Sequence, residues 1–120
     1  MSNVYIGTDI VEVDRIRSSI QKTGERFLNR IFTQKEQAYC KSKASPEIHY
    51  AGRFAAKEAI MKALKSGGYA NPIPFNAIDV QSKESGEPIV VLKFENMGVC
   101  RVSISHTSTY AIASAIYSIE

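Results

Sequence analysis

The chain has 120 residues, 44% hydrophobic and 22% charged, with no tryptophan and only two cysteines, Cys40 and Cys100. That length suits one domain, residues 1–120, and the composition argues against long disorder, a coiled rod, a disulfide framework and a cysteine-based zinc site. The net charge of +3 hides an asymmetry, because residues 1–66 hold twelve Lys/Arg against seven Asp/Glu and residues 67–120 hold three against five, so the front half attracts anions.

Val4 to Val11 mixes β-branched and small residues and predicts a first strand, with a helix starting between Asp9 and Asp14. Ile16 and Ile20 stand one helical turn apart, and Gly24 offers the stop. Thr33-Gln34-Lys35-Glu36 has the capping-box pattern and predicts a short helix to about Ser42. Ser45-Pro46-Glu47 supplies an N-cap, a first-turn proline and an acidic first turn, so the main helix runs from near Pro46 to Gly67-Gly68. A rigid loop follows at Asn71-Pro72-Ile73-Pro74. Strands are predicted at 77–82 and 88–94, joined by the turn Ser85-Gly86-Glu87-Pro88, and at 101–105 and 111–117, separated by His106 to Tyr110. The pattern is α+β, an antiparallel sheet packed with one long and several short helices. The longest apolar run, near Tyr110 to Tyr117, is less than half a bilayer span, and Asp9 with no basic leader is incompatible with a secretory signal. A cytoplasmic protein with no membrane anchor is expected.

Glu58 and Lys62 lie four residues apart on the long helix and must share a face. Ala51, Ala55 and Ala59 flank them and predict a methyl-walled approach, while Tyr50, Phe54, Met61 and Leu64 form a core stripe. An ordinary surface ion pair is the alternative. Asp9, a charge in an apolar strand, is either an exposed strand end or cap, or the partner of Glu58. Two carboxylates are what Mg²⁺ accepts from protein when substrate phosphates and water complete its shell, and Lys62 one turn on would meet a phosphate oxygen. Alternation points Ile104 and His106 one way and Ser103 and Ser105 the other. His106 is then a surface residue or a phosphate contact, and His49, without a supporting constellation, is read as structural. Arg15, Arg17, Lys22, Arg26 and Arg30 with Phe27 and Ile31 form either a solvated face or a dock for an acidic helix. Nothing in the chain matches a nucleic-acid-binding pattern.

Gly7-Thr8-Asp9-Ile10-Val11-Glu12-Val13-Asp14-Arg15-Ile16, Arg30-Ile31-Phe32-Thr33-x-x-Glu36, Gly52-Arg53-Phe54-Ala55-Ala56-Lys57-Glu58-Ala59 and Ser103-Ile104-Ser105-His106-Thr107 together closely resemble the holo-[acyl-carrier-protein] synthases, small 4′-phosphopantetheinyl transferases. The resemblance implies that family's fold and its reaction, transfer of 4′-phosphopantetheine from coenzyme A to a serine of apo acyl carrier protein in fatty acid biosynthesis. It further implies Mg²⁺ on Asp9 and Glu58, a catalytic set of Asp9, Glu58 and Lys62 with Glu58 as leading candidate for the base, and coenzyme A contacts at Arg53, Lys62, Gly67, His106 and Thr107. Arg15, Arg26, Phe27, Arg30 and Phe54 would dock the carrier protein, interrupted by Lys22, Thr23 and Glu25. A homotrimer with active sites at subunit interfaces is implied, and it bears on Arg53, which lies about 140° around the helix from Glu58. The alternatives are a Mg²⁺-dependent phosphoryl or nucleotidyl enzyme with another acceptor, and a non-catalytic basic module that binds acidic proteins.

Overall fold

The computed structural model describes residues 3–119 and orders them as β1 (Asn3–Glu12), α1 (Val13–Thr23), α2 (Glu25–Ile31), α3 (Gln34–Lys41), α4 (Pro46–Ser66), a 3-10 turn (Phe75–Ala77), β2 (Ile78–Ser82), β3 (Pro88–Leu92), β4 (Gly98–His106) and β5 (Tyr110–Ile119). The α+β class is as expected, with the strands divided between two sheets. β1, β5 and β4 form an antiparallel sheet in that order, with β1 and β4 at its edges, and β2 pairs with β3 in a separate hairpin.

Strands of the larger sheet alternate because one face meets α4 and the other does not. Ala111, Ala113, Ala115 and Tyr117 of β5 turn inward and are at most 2% exposed, whereas Tyr110, Ile112 and Ile116 turn outward. Small residues on both sides of this contact bring helix and sheet close together. Ala51, Ala55, Ala59 and Ala63 are fully buried, and a Cβ at Gly7 would collide with the Ala59 carbonyl and stand 2.7 Å from the Ala63 nitrogen. The alanines therefore do not wall an open approach to Glu58 and Lys62, as the helical wheel suggested; their methyl groups are the seam between α4 and the sheet. Tyr50 and Leu64 enter the core as expected, while Phe54 and Met61 are only partly buried.

Local signals set most element ends. The Thr33 hydroxyl accepts from the Glu36 N–H at 3.1 Å and the Glu36 carboxylate accepts from the Thr33 N–H at 2.9 Å, so the capping box is complete. Pro46 sits in the first turn of α4 and Gly67 caps its end, but Ser45, at the N-cap position, makes no side-chain capping bond. Gly24, at φ 51°, separates α1 from α2 in a conformation glycine adopts readily. The seven-residue α2 escapes the sequence reading because Phe27, Leu28 and Ile31 supply only one turn of apolar pattern.

The capping glutamate also reaches inward, where no sequence pattern announces a partner. Glu36 and Lys57 form a fully buried ion pair at 2.6 Å. Lys57 Nζ donates to the carbonyls of Ile31 at 2.7 Å and Phe75 at 3.0 Å, and the second Glu36 oxygen accepts from the Val80 N–H at 2.6 Å. Burial pushes the Glu36 carboxyl up and the Lys57 ammonium down, and each charge opposes the shift of the other. This saturated pair ties α2, α3, α4, the 3-10 turn and β2 to one point.

Candidate active site

Asp9 lies on the helix-facing side of β1, next to the seam that Gly7 makes with α4, and its side chain is 17% exposed. From α4, Lys62 reaches across to donate to the Thr8 carbonyl at 2.9 Å and places Nζ 3.4 Å from an Asp9 carboxylate oxygen, although 53 residues separate the two in sequence. Glu58, half-buried, stands on the same helix face one turn earlier. Burial raises its carboxyl above the usual range, the Asp9 charge raises it further, and Lys62 and Lys65 pull it back. Asp9, Glu58 and Lys62 thus form one electrostatic unit, open to solvent on the Lys62 side. Among the described residues no group of three or more His, Cys, Asp or Glu side chains could cage a metal. A cation held by Asp9 and Glu58 would need ligand oxygens and water to complete its shell, and that coordination fits Mg²⁺ rather than a fully protein-ligated ion.

Arg53 and His106 stand elsewhere. They line a small cavity of about 150 Å³ with Tyr39, Ile48, His49, Gly52 and Ile104, on the β4 side of the helix. Arg53 is 5% exposed, donates to the Ser82 hydroxyl at 2.6 Å and lies 4.0 Å from the centre of the Tyr39 ring, while its Nε is buried with no hydrogen-bond partner. Ile104 and His106 share a face as the alternation predicts. His49 belongs to the same group, with its ring 5.6 Å from that of His106 and 5.9 Å from that of Tyr39. No local pattern placed it there, because its neighbours come from α3 and β4.

Gly67 lines a third hollow, with Gly68, Tyr69, Met97 and Tyr117, and a Cβ at Gly67 would stand 2.7 Å from the Tyr117 ring. The Thr107 hydroxyl oxygen accepts from the N–H groups of Thr109 and Tyr110 at 3.1 and 3.0 Å and so holds the β4–β5 turn. Of the expected docking residues, Arg15, Phe27, Arg30 and Phe54 line one groove of about 520 Å³. Arg26 is exposed outside it, whereas Lys22 and Thr23, read from sequence as interruptions, are part of its lining. Phe54 stacks on Phe75 at 5.6 Å to form an apolar patch of the groove.

A sequence model of the 4′-phosphopantetheinyl transferase superfamily matches residues 5–115. The holo-[acyl-carrier-protein] synthase of Protochlamydia amoebophila is 42% identical over 119 residues, covering 94% of this chain and 96% of that protein. The protein of the same name from Chlorobaculum tepidum is 44% identical over 113 residues, covering 93% and 96%. Among solved structures, the holo-(acyl-carrier-protein) synthase of Bacillus anthracis in complex with CoA (3′,5′-ADP) superposes with a TM-score of 0.82 at 30% identity, covering the whole of both chains.

Proposed function

Because the chain belongs to the 4′-phosphopantetheinyl transferase superfamily, we propose that Asp9, Glu58 and Lys62 form the reacting half of its active site and Arg53 and His106 the ligand-holding half. The enzyme transfers 4′-phosphopantetheine from coenzyme A to a serine hydroxyl of apo acyl carrier protein, releasing adenosine 3′,5′-bisphosphate, a holo-[acyl-carrier-protein] synthase reaction that serves fatty acid biosynthesis. The observation that carries the site assignment is the convergence of Asp9 and Lys62, 53 residues apart, beside Glu58.

The serine oxygen attacks the phosphorus that bears the pantetheine arm, and the bond from that phosphorus to the bridging oxygen breaks. A proton must leave the hydroxyl while negative charge collects on the departing phosphate. Glu58 takes the proton, since burial and the Asp9 charge make its carboxylate a stronger base than an exposed glutamate. Lys62 meets the charge on the departing phosphate. Asp9 and Glu58 would hold Mg²⁺, which when bound neutralises charge on the pyrophosphate. The carrier protein docks in the groove of Arg15, Phe27, Arg30 and Phe54, with Lys22 and the exposed Arg26 adding positive charge, so that basic side chains ring an apolar centre. Gly67 and Thr107 are proposed as further coenzyme A contacts.

Within one chain the reacting half lies at the β1 edge and the ligand-holding half at the β4 edge of the three-stranded sheet, on opposite sides of β5. A neighbouring copy would bring its Arg53 and His106 to the first copy's Asp9 and Glu58, in a homotrimer. Val4, Ile6, Ile10, Val99, Ile112 and Ile116 on the outer sheet face are 40–70% exposed and offer the apolar surface for that assembly. No helix among the described residues is long and apolar enough to cross a membrane. On the family reading we place the single 1–120 domain in the cytoplasm. The intact mass of a purified apo acyl carrier protein after incubation with this chain, coenzyme A and Mg²⁺, with an EDTA control, tests the reading. A Mg²⁺-dependent gain of one phosphopantetheine is expected, and no gain on a carrier that another transferase modifies would refute it.

A further inference from the structure

The cavity at the β4 edge is lined by His49 as well as by Arg53 and His106, and Lys43 stands at its Tyr39 wall. His49 projects from α4 one turn before Arg53 and packs edge-to-face against both Tyr39 and His106. Lys43 lies over the Tyr39 ring at 4.7 Å, and the Arg53 guanidinium is 4.0 Å from the centre of the same ring. The groups acting on His49 are therefore Tyr39 of α3, Lys43 of the α3–α4 connection, Glu47 and Arg53 of α4, and His106 of β4. The only carboxylate among them, Glu47, is already engaged by Arg17 of α1 at 3.4 Å. Arg53, nine-tenths buried, keeps an unpartnered Nε. A buried guanidinium N–H without an acceptor, in a cavity whose lining holds two histidines and no acid and whose Tyr39 wall carries Lys43, is a site prepared for an anion. About 150 Å³ is roughly five water volumes, enough for a phosphate group and too little for a nucleobase with its sugar.

We propose that His49 is a third cation-capable member of the Arg53–His106 pocket and recognises the phosphate monoester of coenzyme A in its imidazolium form, so that the grip on that phosphate tightens as protons become available. The inference rests on the ligand-holding role proposed above for Arg53 and His106. Its physical basis is linkage. Without ligand, burial, then the charges of His106, Lys43 and Arg53, hold the His49 imidazole below its ordinary range, and so favour the neutral ring. A dianion placed among these cations reverses that balance, because the same positive charges are then neutralised and the ring N–H gains an acceptor. Binding is accompanied by proton uptake at His49, and by reciprocity lower pH strengthens binding.

The test is isothermal titration calorimetry of the full chain with Mg²⁺, using coenzyme A and dephospho-coenzyme A, which lacks only the phosphate monoester. Titrations at about pH 6 and about pH 8 straddle the ordinary histidine pKa near 6.5. Wild type is compared with His49→Phe, which keeps an aromatic ring against Tyr39, and with Arg53→Met. After allowance for the ligand's own second phosphate ionisation at about pH 6, which is the same for wild type and variants, wild type should bind coenzyme A roughly three- to tenfold more tightly at the acid end, with no such step for dephospho-coenzyme A. His49→Phe should lose most of the step while still preferring coenzyme A, and Arg53→Met should lose the preference at both pH values. Retention of the full step in His49→Phe, with the preference lost in Arg53→Met, would overturn the role of His49 alone. Equal affinity of wild type for the two ligands would overturn the ligand-holding role of the pocket, and the inference with it.

Discussion

Lys57 and Glu58 are neighbours on α4, each belongs to a carboxylate–ammonium constellation, and their surroundings differ in one respect that separates architecture from chemistry. On the Lys57 side every charge is saturated by the chain itself: Nζ has the Glu36 carboxylate and two carbonyls, and Glu36 has two backbone N–H groups besides. On the Glu58 side the Glu58 carboxylate has no hydrogen bond among the described residues, and Lys62, 54% exposed, leans on Asp9 at 3.4 Å. A fully paired buried ion pair leaves nothing to offer a ligand. A crowded, half-solvated and under-paired one keeps carboxylate oxygens free and a half-exposed ammonium beside them, the setting proposed above for a phosphorylated substrate.

The sharpest way to break this comparison is Glu58→Gln. Transfer should fall by about 10²- to 10⁴-fold or more with the thermal unfolding curve nearly unchanged, as read by carrier-protein mass and circular dichroism. A parallel loss of stability would place Glu58 with the structural pair. Lys57→Met should show the reverse pattern, leaving Glu36 buried without its counter-ion and destabilising the fold by about 3–5 kcal/mol. Urea unfolding measures this, and combining Lys57→Met with Glu36→Gln should recover part of the loss. Arg15→Glu acts at a distance from both pairs and should raise the KM for carrier protein by roughly tenfold while leaving coenzyme A affinity close to wild type; equal losses in both would remove the docking role of the groove.

The electrostatic coupling at the reacting half predicts a smaller, directional effect. Glu58 has a raised carboxyl, so it becomes protonated at a higher pH than an ordinary glutamate would, and the base and cation-ligand roles proposed for it are lost there. Asp9→Asn removes one cause of the rise and should move the Glu58 titration, followed by carboxyl NMR without metal, to lower pH. Removing the ammonium with Lys62→Met should move it upward. Smallest of all is Tyr50→Phe. The Tyr50 hydroxyl is buried without a partner, so its removal should leave the unfolding midpoint unchanged or raise stability by about 1 kcal/mol.

Much of this was legible in the sequence because the signals are local. The Thr33–Glu36 capping box, Pro46 and Gly67 at the ends of α4, the alternation that puts Ile104 and His106 on one face, and the shared helix face of Glu58 and Lys62 all act within a few residues, through backbone geometry and side-chain period. Only the tertiary structure decided which surfaces met. It turned the alanine face of α4 from a supposed cleft wall into the seam against Gly7, and gave Glu36 a second task as the partner of Lys57. It also drew His49 into a cavity that its neighbours in sequence do not suggest, and set the Asp9–Glu58–Lys62 cluster and the Arg53–His106 cavity at opposite edges of one sheet. Caps and periodicity depend on contacts three or four residues away, whereas burial and charge pairing depend on contacts between elements dozens of residues apart, and those exist only once the helix has settled on the sheet.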